Sequence, residues 1–221
     1  MIRDKRKSEE YFKEYIDYQN ARIISKEKKL AEIDTDIEKK NRINLSQIKY
    51  KMDLIFAEYS AGYLPADIKK TVESAIDTAV EMPQVSFEFL LNILALQVIL
   101  DDPYKINKLL EKYNRIITGD KLLNCFAKYV CEKKIVWEGT FSISSIFDCL
   151  DKIDTIEDKE NVLITYLATW YENRKDASWY ESDKNNNNVY VGYWSFESAA
   201  IVKIFDIKES KISESIYYPS F

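Results

Sequence analysis

The chain has 221 residues, with 32 basic and 37 acidic side chains, a formal net charge of -5 and no histidine. The absence of histidine excludes Ser-His-Asp and Cys-His nucleophile pairs and every metal site that needs an imidazole ligand. Only four glycines and four prolines are present, which is unlike an all-β sandwich with its frequent turns.

Hydrophobic spacing predicts two long N-terminal helices that form an antiparallel hairpin. The first is predicted over residues 8–38 on a seven-residue aliphatic repeat: Ile16, Ile23, Leu30 and Ile37. A turn is predicted at residues 40–44. The apolar positions of the second helix then alternate spacings of three and four: Leu45, Ile48, Met52, Ile55 and Tyr59. Gly62 and Pro65 are typical of a helix end.

The remaining sequence predicts further helices and no competing strand. A third helix is predicted over Pro65–Met82, and a fourth over Ser86–Leu100. The fourth is apolar on nearly every face, which is typical of a buried central helix. Shorter helices are predicted over residues 103–117, 120–134, 144–150, 156–173 and 193–205. The predicted fold class is therefore all-α, a compact bundle of about nine helices with a long N-terminal helical hairpin. We expect two regions, 1–118 and 119–221, packed as one globule.

The N-terminus shows no apolar signal segment, and its first residues are charged. The longest apolar stretch, residues 87–100, is too short to span a bilayer. Three cysteines in a chain of this length indicate a reducing compartment. We therefore expect a cytoplasmic protein without a membrane partner.

Cysteine and tryptophan spacing favours packing over chemistry. The cysteines are not at Cys-x-x-Cys spacing and are predicted to be small core residues: Cys125, Cys131 and Cys149. The tryptophans are predicted to lie in the core rather than to form a ligand cage: Trp137, Trp170, Trp179 and Trp194.

Negative charge is concentrated near the C-terminus. Residues 141–221 carry 14 acidic and 8 basic side chains, whereas residues 1–60 carry 12 and 14. Within this region, five acids follow one another closely: Asp148, Asp151, Asp154, Glu157 and Asp158. A divalent-cation site is one interpretation, but EF-hand spacing is absent, and a solvated acidic face or a protein-binding patch fits better. Such a surface would repel nucleic acid and attract a basic partner. Alternatively, it keeps the protein soluble.

One C-terminal run is distinctive. Residues 190–203 read YVGYWSFESAAIVK. Three further segments elsewhere in the chain are also characteristic: residues 3–12, 167–171 and 217–219. The run resembles the YxGYWSFExAA motif of the PoNi-type immunity proteins, which protect bacteria against polymorphic nuclease toxins. The resemblance extends over nearly the whole chain and is weakest between about residues 45 and 160.

The resemblance implies an all-helical, cytosolic, non-enzymatic protein that binds the toxin domain of a cognate nuclease effector and blocks its DNase activity. We expect no cofactor, no metal and no nucleic-acid partner. A homodimer is compatible with it. A helical adaptor or scaffold for another basic protein is the alternative.

The motif itself is expected to build the fold, with Gly192 allowing a tight entry, Ser195 capping a helix and Glu197 pairing inside. These structural residues are Tyr190, Gly192, Tyr193, Trp194, Ser195, Phe196, Glu197, Ala199 and Ala200. Toxin contact is expected instead on an acidic surface: Asp148, Asp151, Asp154, Glu157, Asp158, Asp176, Glu181 and Asp183. These acids would occupy or flank a basic, phosphate-binding nuclease groove.

Overall fold

The computed structural model describes residues 2–221, and every regular element in this range is helical. The all-α prediction is confirmed: residues 2–221 contain nine α-helices and no strand. Short 3₁₀ turns lie at Asp148–Leu150, Glu172–Arg174, Ser182–Lys184 and Ile212–Glu214. The α-helices are α1 Glu9–Ala31, α2 Ile37–Ala61, α3 Pro65–Glu81, α4 Phe87–Leu100, α5 Ile106–Thr118, α6 Lys121–Glu132, α7 Ser144–Phe147, α8 Lys159–Trp170 and α9 Phe196–Phe205.

The chain forms two units. Unit 1 contains residues 2–85 and Glu181–Gly192, and unit 2 contains Ser86–Tyr180 and Tyr193–Phe221. The distinctive C-terminal run is therefore divided between them after Gly192. The regions 1–118 and 119–221 expected from the sequence stay a prediction.

The α1–α2 hairpin of unit 1 forms as predicted, but its turn lies earlier than expected. α1 ends at Ala31, and α2 begins at Ile37. The turn prediction at residues 40–44 is wrong because Asp36 caps α2, accepting a hydrogen bond from the backbone N of Lys39 at 2.9 Å. Two predicted seam residues, Ile37 and Leu45, are consequently exposed.

The second segment of unit 1, Glu181–Gly192, is held to α1 and α2 by polar contacts. The Tyr11 hydroxyl donates to the Tyr190 carbonyl oxygen at 2.9 Å and accepts from the Tyr190 backbone N at 3.0 Å. The Tyr190 hydroxyl in turn donates to Asp4 Oδ2 at 2.5 Å. Ser60 Oγ donates to the Val191 carbonyl oxygen at 2.7 Å. These contacts explain why a C-terminal segment belongs to the N-terminal helical unit.

Glu58 is a buried carboxyl in the last turn of α2. Its Oε1 accepts a hydrogen bond from Thr71 Oγ1 of α3 at 3.0 Å, whereas its Oε2 accepts none from any residue between Ile2 and Phe221. Burial raises the pKa of Glu58 to about 7, although the Thr71 hydrogen bond acts in the opposite direction. The carboxyl also lies at the negative end of the α2 dipole, which disfavours its ionised form.

Unit 2 is built around α4, as the apolar sequence of that helix predicts. α4 packs against α6 and α9, and α5 packs against α6. Ser86 caps α4 by accepting from the backbone N of Phe89 at 3.1 Å. Most side chains of α4, from Phe89 to Val98, are buried. α3 and α4 thus lie where their hydrophobic patterns place them.

Three predicted helix starts in unit 2 are wrong by three residues each. α5 begins at Ile106 rather than Pro103, since Lys105 adopts a left-handed conformation with φ of 49°. α8 begins at Lys159 rather than Ile156 because Asp158 caps it by accepting from the backbone N of Asn161. α9 begins at Phe196 rather than Tyr193.

Asp120 links the start of α6 to the following loop. It is buried, and its Oδ1 accepts from the backbone N atoms of Leu122 and Leu123 at 2.9 Å each. Its Oδ2 accepts from the backbone N of Ser142 at 2.7 Å. One carboxylate therefore satisfies three backbone donors in two elements.

We predict that Asp120→Ala lowers the free energy of unfolding by about 2–3 kcal/mol, because it removes a helix cap and leaves three backbone donors without their acceptor. Chemical denaturation at neutral pH measures the change. Asp158→Ala is the matched control: Asp158 is an exposed cap of α8, and its loss should cost about 1 kcal/mol or less. Equal losses for the two variants would contradict this role of Asp120.

We predict that Glu58→Gln raises the free energy of unfolding above neutral pH and leaves it nearly unchanged at pH 5. A carboxyl with a raised folded-state pKa favours folding below its unfolded pKa, and that stability is lost as the pH rises through about 7. Denaturation of both proteins between pH 5 and pH 8.5 tests this. If both proteins had the same pH dependence across this range, the assignment of Glu58 would be wrong.

Candidate functional site

Glu197 of the distinctive run forms a buried ion pair with Arg174, inside unit 2. Glu197, in the first turn of α9, is 2% exposed. Its Oε1 accepts hydrogen bonds from Arg174 Nη2 at 2.6 Å, from the Tyr166 hydroxyl at 2.7 Å and from Trp170 Nε1 at 2.7 Å. The pair therefore joins α9 to α8 and to the 3₁₀ turn Glu172–Arg174.

The surroundings keep Glu197 ionised. Burial raises the pKa of Glu197, but the Arg174 guanidinium and the two neutral donors outweigh it, so the pKa lies below its usual range. The Arg174 guanidinium also lies 4.9 Å from the Trp170 ring centroid and 5.7 Å from that of Phe147. Glu197 thus has the inside partner that the sequence led us to expect.

The other residues of the run are buried, except Val191, which is half-buried, and Lys203, which is exposed. Gly192 has a φ of 112°, which residues with a side chain rarely adopt. In unit 2 the buried members are Tyr193, Trp194, Ser195, Phe196, Ala199 and Ala200. The predicted Ser195 cap is wrong: within residues 2–221 its side chain makes no cap hydrogen bond. Its backbone N instead donates to the Tyr217 carbonyl oxygen at 2.9 Å.

The predicted acidic residues fall in both units. Six belong to unit 2, where five occupy the segment between α7 and α8: Asp148, Asp151, Asp154, Glu157 and Asp158. All five are exposed, as is the sixth, Asp176. Glu181 and Asp183 belong to unit 1. Hereafter the acidic segment means residues 148–158.

Two members of the acidic segment have structural contacts as well. Asp151 Oδ1 lies 2.5 Å from Nζ of Lys121, whose side chain is buried, and the Asp151 carbonyl oxygen accepts from Trp137 Nε1 at 3.0 Å. Asp158 caps α8. The other three acids of the segment, Asp148, Asp154 and Glu157, are exposed to solvent.

A second surface of unit 2 is aromatic. Tyr171 stacks on Tyr180 with ring centroids 4.5 Å apart and on Tyr217 at 5.4 Å, and Trp179 lies 6.2 Å away. These four rings are half-buried. We call them, with the exposed Ile216, the aromatic surface.

Cysteine placement differs from the prediction. Cys125 is buried, and burial raises the pKa of its thiol to about 12, but Cys131 and Cys149 are exposed. The core prediction is therefore wrong for these two: Cys131 lies on the outer side of α6, and Cys149 lies in the 3₁₀ turn Asp148–Leu150. The tryptophans Trp137, Trp170 and Trp194 are buried, whereas Trp179 is half-buried.

Two absences hold for the part of the chain that the structure describes. In residues 2–221 no three histidine, cysteine or acidic side chains are arranged to hold a metal ion. None of the helices described there has the length and apolar character needed to cross a bilayer.

Comparison with known families now identifies the chain. The model of the PoNe immunity protein (PoNi) N-terminal region matches residues 3–112, and that of the C-terminal region matches residues 118–220. The chain belongs to the PoNe immunity protein family. The distinctive run lies wholly inside the C-terminal match. No curated protein and no solved structure matches the chain.

Sequence reasoning missed Arg174 and the aromatic surface of this PoNi protein. A glutamate among Phe196, Ser198 and Ala199 signals a buried carboxylate that requires a cation, but the sequence does not show which one. The aromatic surface has a clearer signal, namely four adjacent aromatic pairs at 170–171, 179–180, 193–194 and 217–218.

We predict that Glu197→Gln lowers the free energy of unfolding by about 3–5 kcal/mol, because it leaves the Arg174 charge buried without its counter-ion. Arg174→Met combined with Glu197→Gln should cost clearly less than the sum of the single changes. Additive losses in this double-mutant cycle, measured by chemical denaturation, would contradict the pairing.

The pair also predicts an acid limit of stability. A carboxylate with a depressed folded-state pKa favours folding above its unfolded pKa, near 4.5, and that contribution is lost as the pH falls through the lower folded value. The wild-type protein should therefore lose stability below about pH 4.5. Glu197→Gln should show a weaker dependence over the same pH range.

Proposed function

We propose that this protein is a cytoplasmic immunity protein that binds a cognate bacterial nuclease toxin and stops DNA cleavage by covering its active site or DNA-binding surface. Membership of the PoNe immunity family, over residues 3–112 and 118–220, carries the proposal. The protein acts by stoichiometric binding rather than by catalysis. It needs no cofactor for this.

Charge supports the direction of the proposed interaction. A nuclease surface that holds DNA is basic, because it neutralises backbone phosphates. Residues 141–221 carry a net charge of -6, with 14 acidic and 8 basic side chains, and all five acids of the acidic segment are exposed. Such a surface accelerates encounter with a basic partner more than it tightens the final complex. Asp176, Glu181 and Asp183 extend the proposed set of contact residues.

The first experiment tests protection. The cognate nuclease domain is expressed in a bacterial host with and without this protein. We expect killing without it, survival with it, and recovery of a complex of the two purified proteins. Undiminished killing and the absence of a complex would overturn the proposed function.

The second experiment tests the acidic segment. We predict that the triple charge reversal Asp148→Lys, Asp154→Lys and Glu157→Lys slows association with the nuclease domain by at least about 10-fold at low salt, with a smaller effect at high salt. Asp151 and Asp158 stay unchanged, because Asp151 pairs with Lys121 and Asp158 caps α8. Association rates are measured by stopped flow or surface binding.

The matched control reverses three exposed acids of unit 1: Glu32 and Asp34 in the hairpin turn, and Glu38 in the first turn of α2. Both triple variants change the net charge equally, so a general charge effect would slow association in both. Equal slowing, or none in the first variant, would show that the acidic segment does not guide the encounter.

A further inference from the structure

We infer that the aromatic surface of unit 2 is the anchor site for the nuclease, on which an arginine or lysine side chain of the toxin domain docks against the rings of Tyr171, Tyr180 and Tyr217. This inference rests on the proposed function and specifies where the binding energy is concentrated. It assigns a role different from that of the acidic segment, which guides the encounter.

The rings are stacked in pairs. The Tyr171 ring stacks on Tyr180 with centroids 4.5 Å apart and on Tyr217 with centroids 5.4 Å apart, with interplanar angles of 27° and 4°. Trp179 continues the array beside Tyr171. Ile216, next to Tyr217, is 61% exposed. Aromatic groups that remain partly accessible are enriched in the energetic centres of protein interfaces.

Contacts with other residues of unit 2 restrain the rings of the aromatic surface. Trp179 stacks on the buried Trp170 with centroids 5.5 Å apart, and its Nε1 donates to Glu88 Oε1 at 3.0 Å. The Tyr217 carbonyl oxygen accepts from the backbone N of Ser195. Trp170 is in turn bonded to Glu197. Because these contacts restrain the rings before a partner arrives, binding costs little side-chain entropy.

The charges around the aromatic surface specify a basic partner. Three exposed acids border the rings: Glu88 contacts Trp179, Glu172 Oε1 lies 3.4 Å from the Tyr180 hydroxyl, and Asp176 lies in the loop between Tyr171 and Trp179. One exposed lysine, Lys175, lies in the same loop and pairs with Glu172 at 2.9 Å.

An aromatic face bordered by excess negative charge attracts a cationic side chain through both cation–π and ionic interactions. An acidic or purely apolar partner would meet repulsion or unpaired charge there. A nuclease domain that presents arginine and lysine for DNA phosphates has the matching chemistry.

The test uses the 221-residue chain and the purified domain of its cognate nuclease. We expect Tyr180→Ala to weaken the equilibrium affinity by about 30-fold, mainly through faster dissociation. Tyr180→Phe retains the ring and should change the affinity by less than about 3-fold. Ile216→Ser replaces an exposed side chain, so the fold of this variant should be unaffected. The substitution should weaken binding of the nuclease by about 5-fold or more.

The control for Ile216→Ser is Ile135→Ser, which replaces another exposed isoleucine of unit 2, outside the aromatic surface. Thermal unfolding of each variant verifies its fold. If wild-type protein binds and protects, but Tyr180→Ala and Ile216→Ser bind as tightly as Ile135→Ser, the aromatic anchor is wrong and the proposed function stands. If wild-type protein does not bind the nuclease, both are wrong.

Discussion

The buried contact between Glu197 and Arg174 is the interaction on which the C-terminal half of this protein depends. It connects α9 to the end of α8 and to the following turn, and Tyr166 and Trp170 complete its hydrogen bonds. A buried ion pair adds little net stability over a packed apolar pair, but it tolerates few alternative arrangements. Trp170 connects this ion pair to the aromatic surface, because its side chain donates a hydrogen bond to Glu197 and stacks on Trp179.

Much of the helical fold could be predicted from hydrophobic spacing, because α3 and α4 each carry a clear pattern with a proline or a capping serine at the start. The hairpin turn was misplaced because the seven-residue repeat continues through Ile37, whereas a local polar contact, the Asp36 cap, ends the repeat. Local capping energies of about 1 kcal/mol can therefore override a weak seam. The exposure of Cys131 and Cys149 could not be predicted from the sequence either, since it depends on which helix face packs against a neighbouring element.

The proposed binding surfaces were less predictable than the fold. Composition points to the acidic segment, yet Asp151 and Asp158 also serve the structure through Lys121 and the α8 cap. The aromatic surface is assembled from residues up to 46 positions apart, Tyr171 and Tyr217, so only folding brings it together. In our account the two surfaces divide the work: charge brings a basic nuclease close, and restrained aromatic rings hold it. Histidine-based chemistry, which the sequence excludes, is not needed for this task.

We propose that this protein inhibits its nuclease by binding it in a one-to-one complex. Titration of the purified protein into a fixed, high concentration of the nuclease domain, with plasmid cleavage as the readout, tests it most directly. Stoichiometric inhibition predicts that cleavage falls linearly and ends at one equivalent, and that the end point is unchanged by longer preincubation. Cleavage that persists at a large excess, or inhibition at a small fraction of an equivalent that deepens with time, would contradict stoichiometric inhibition.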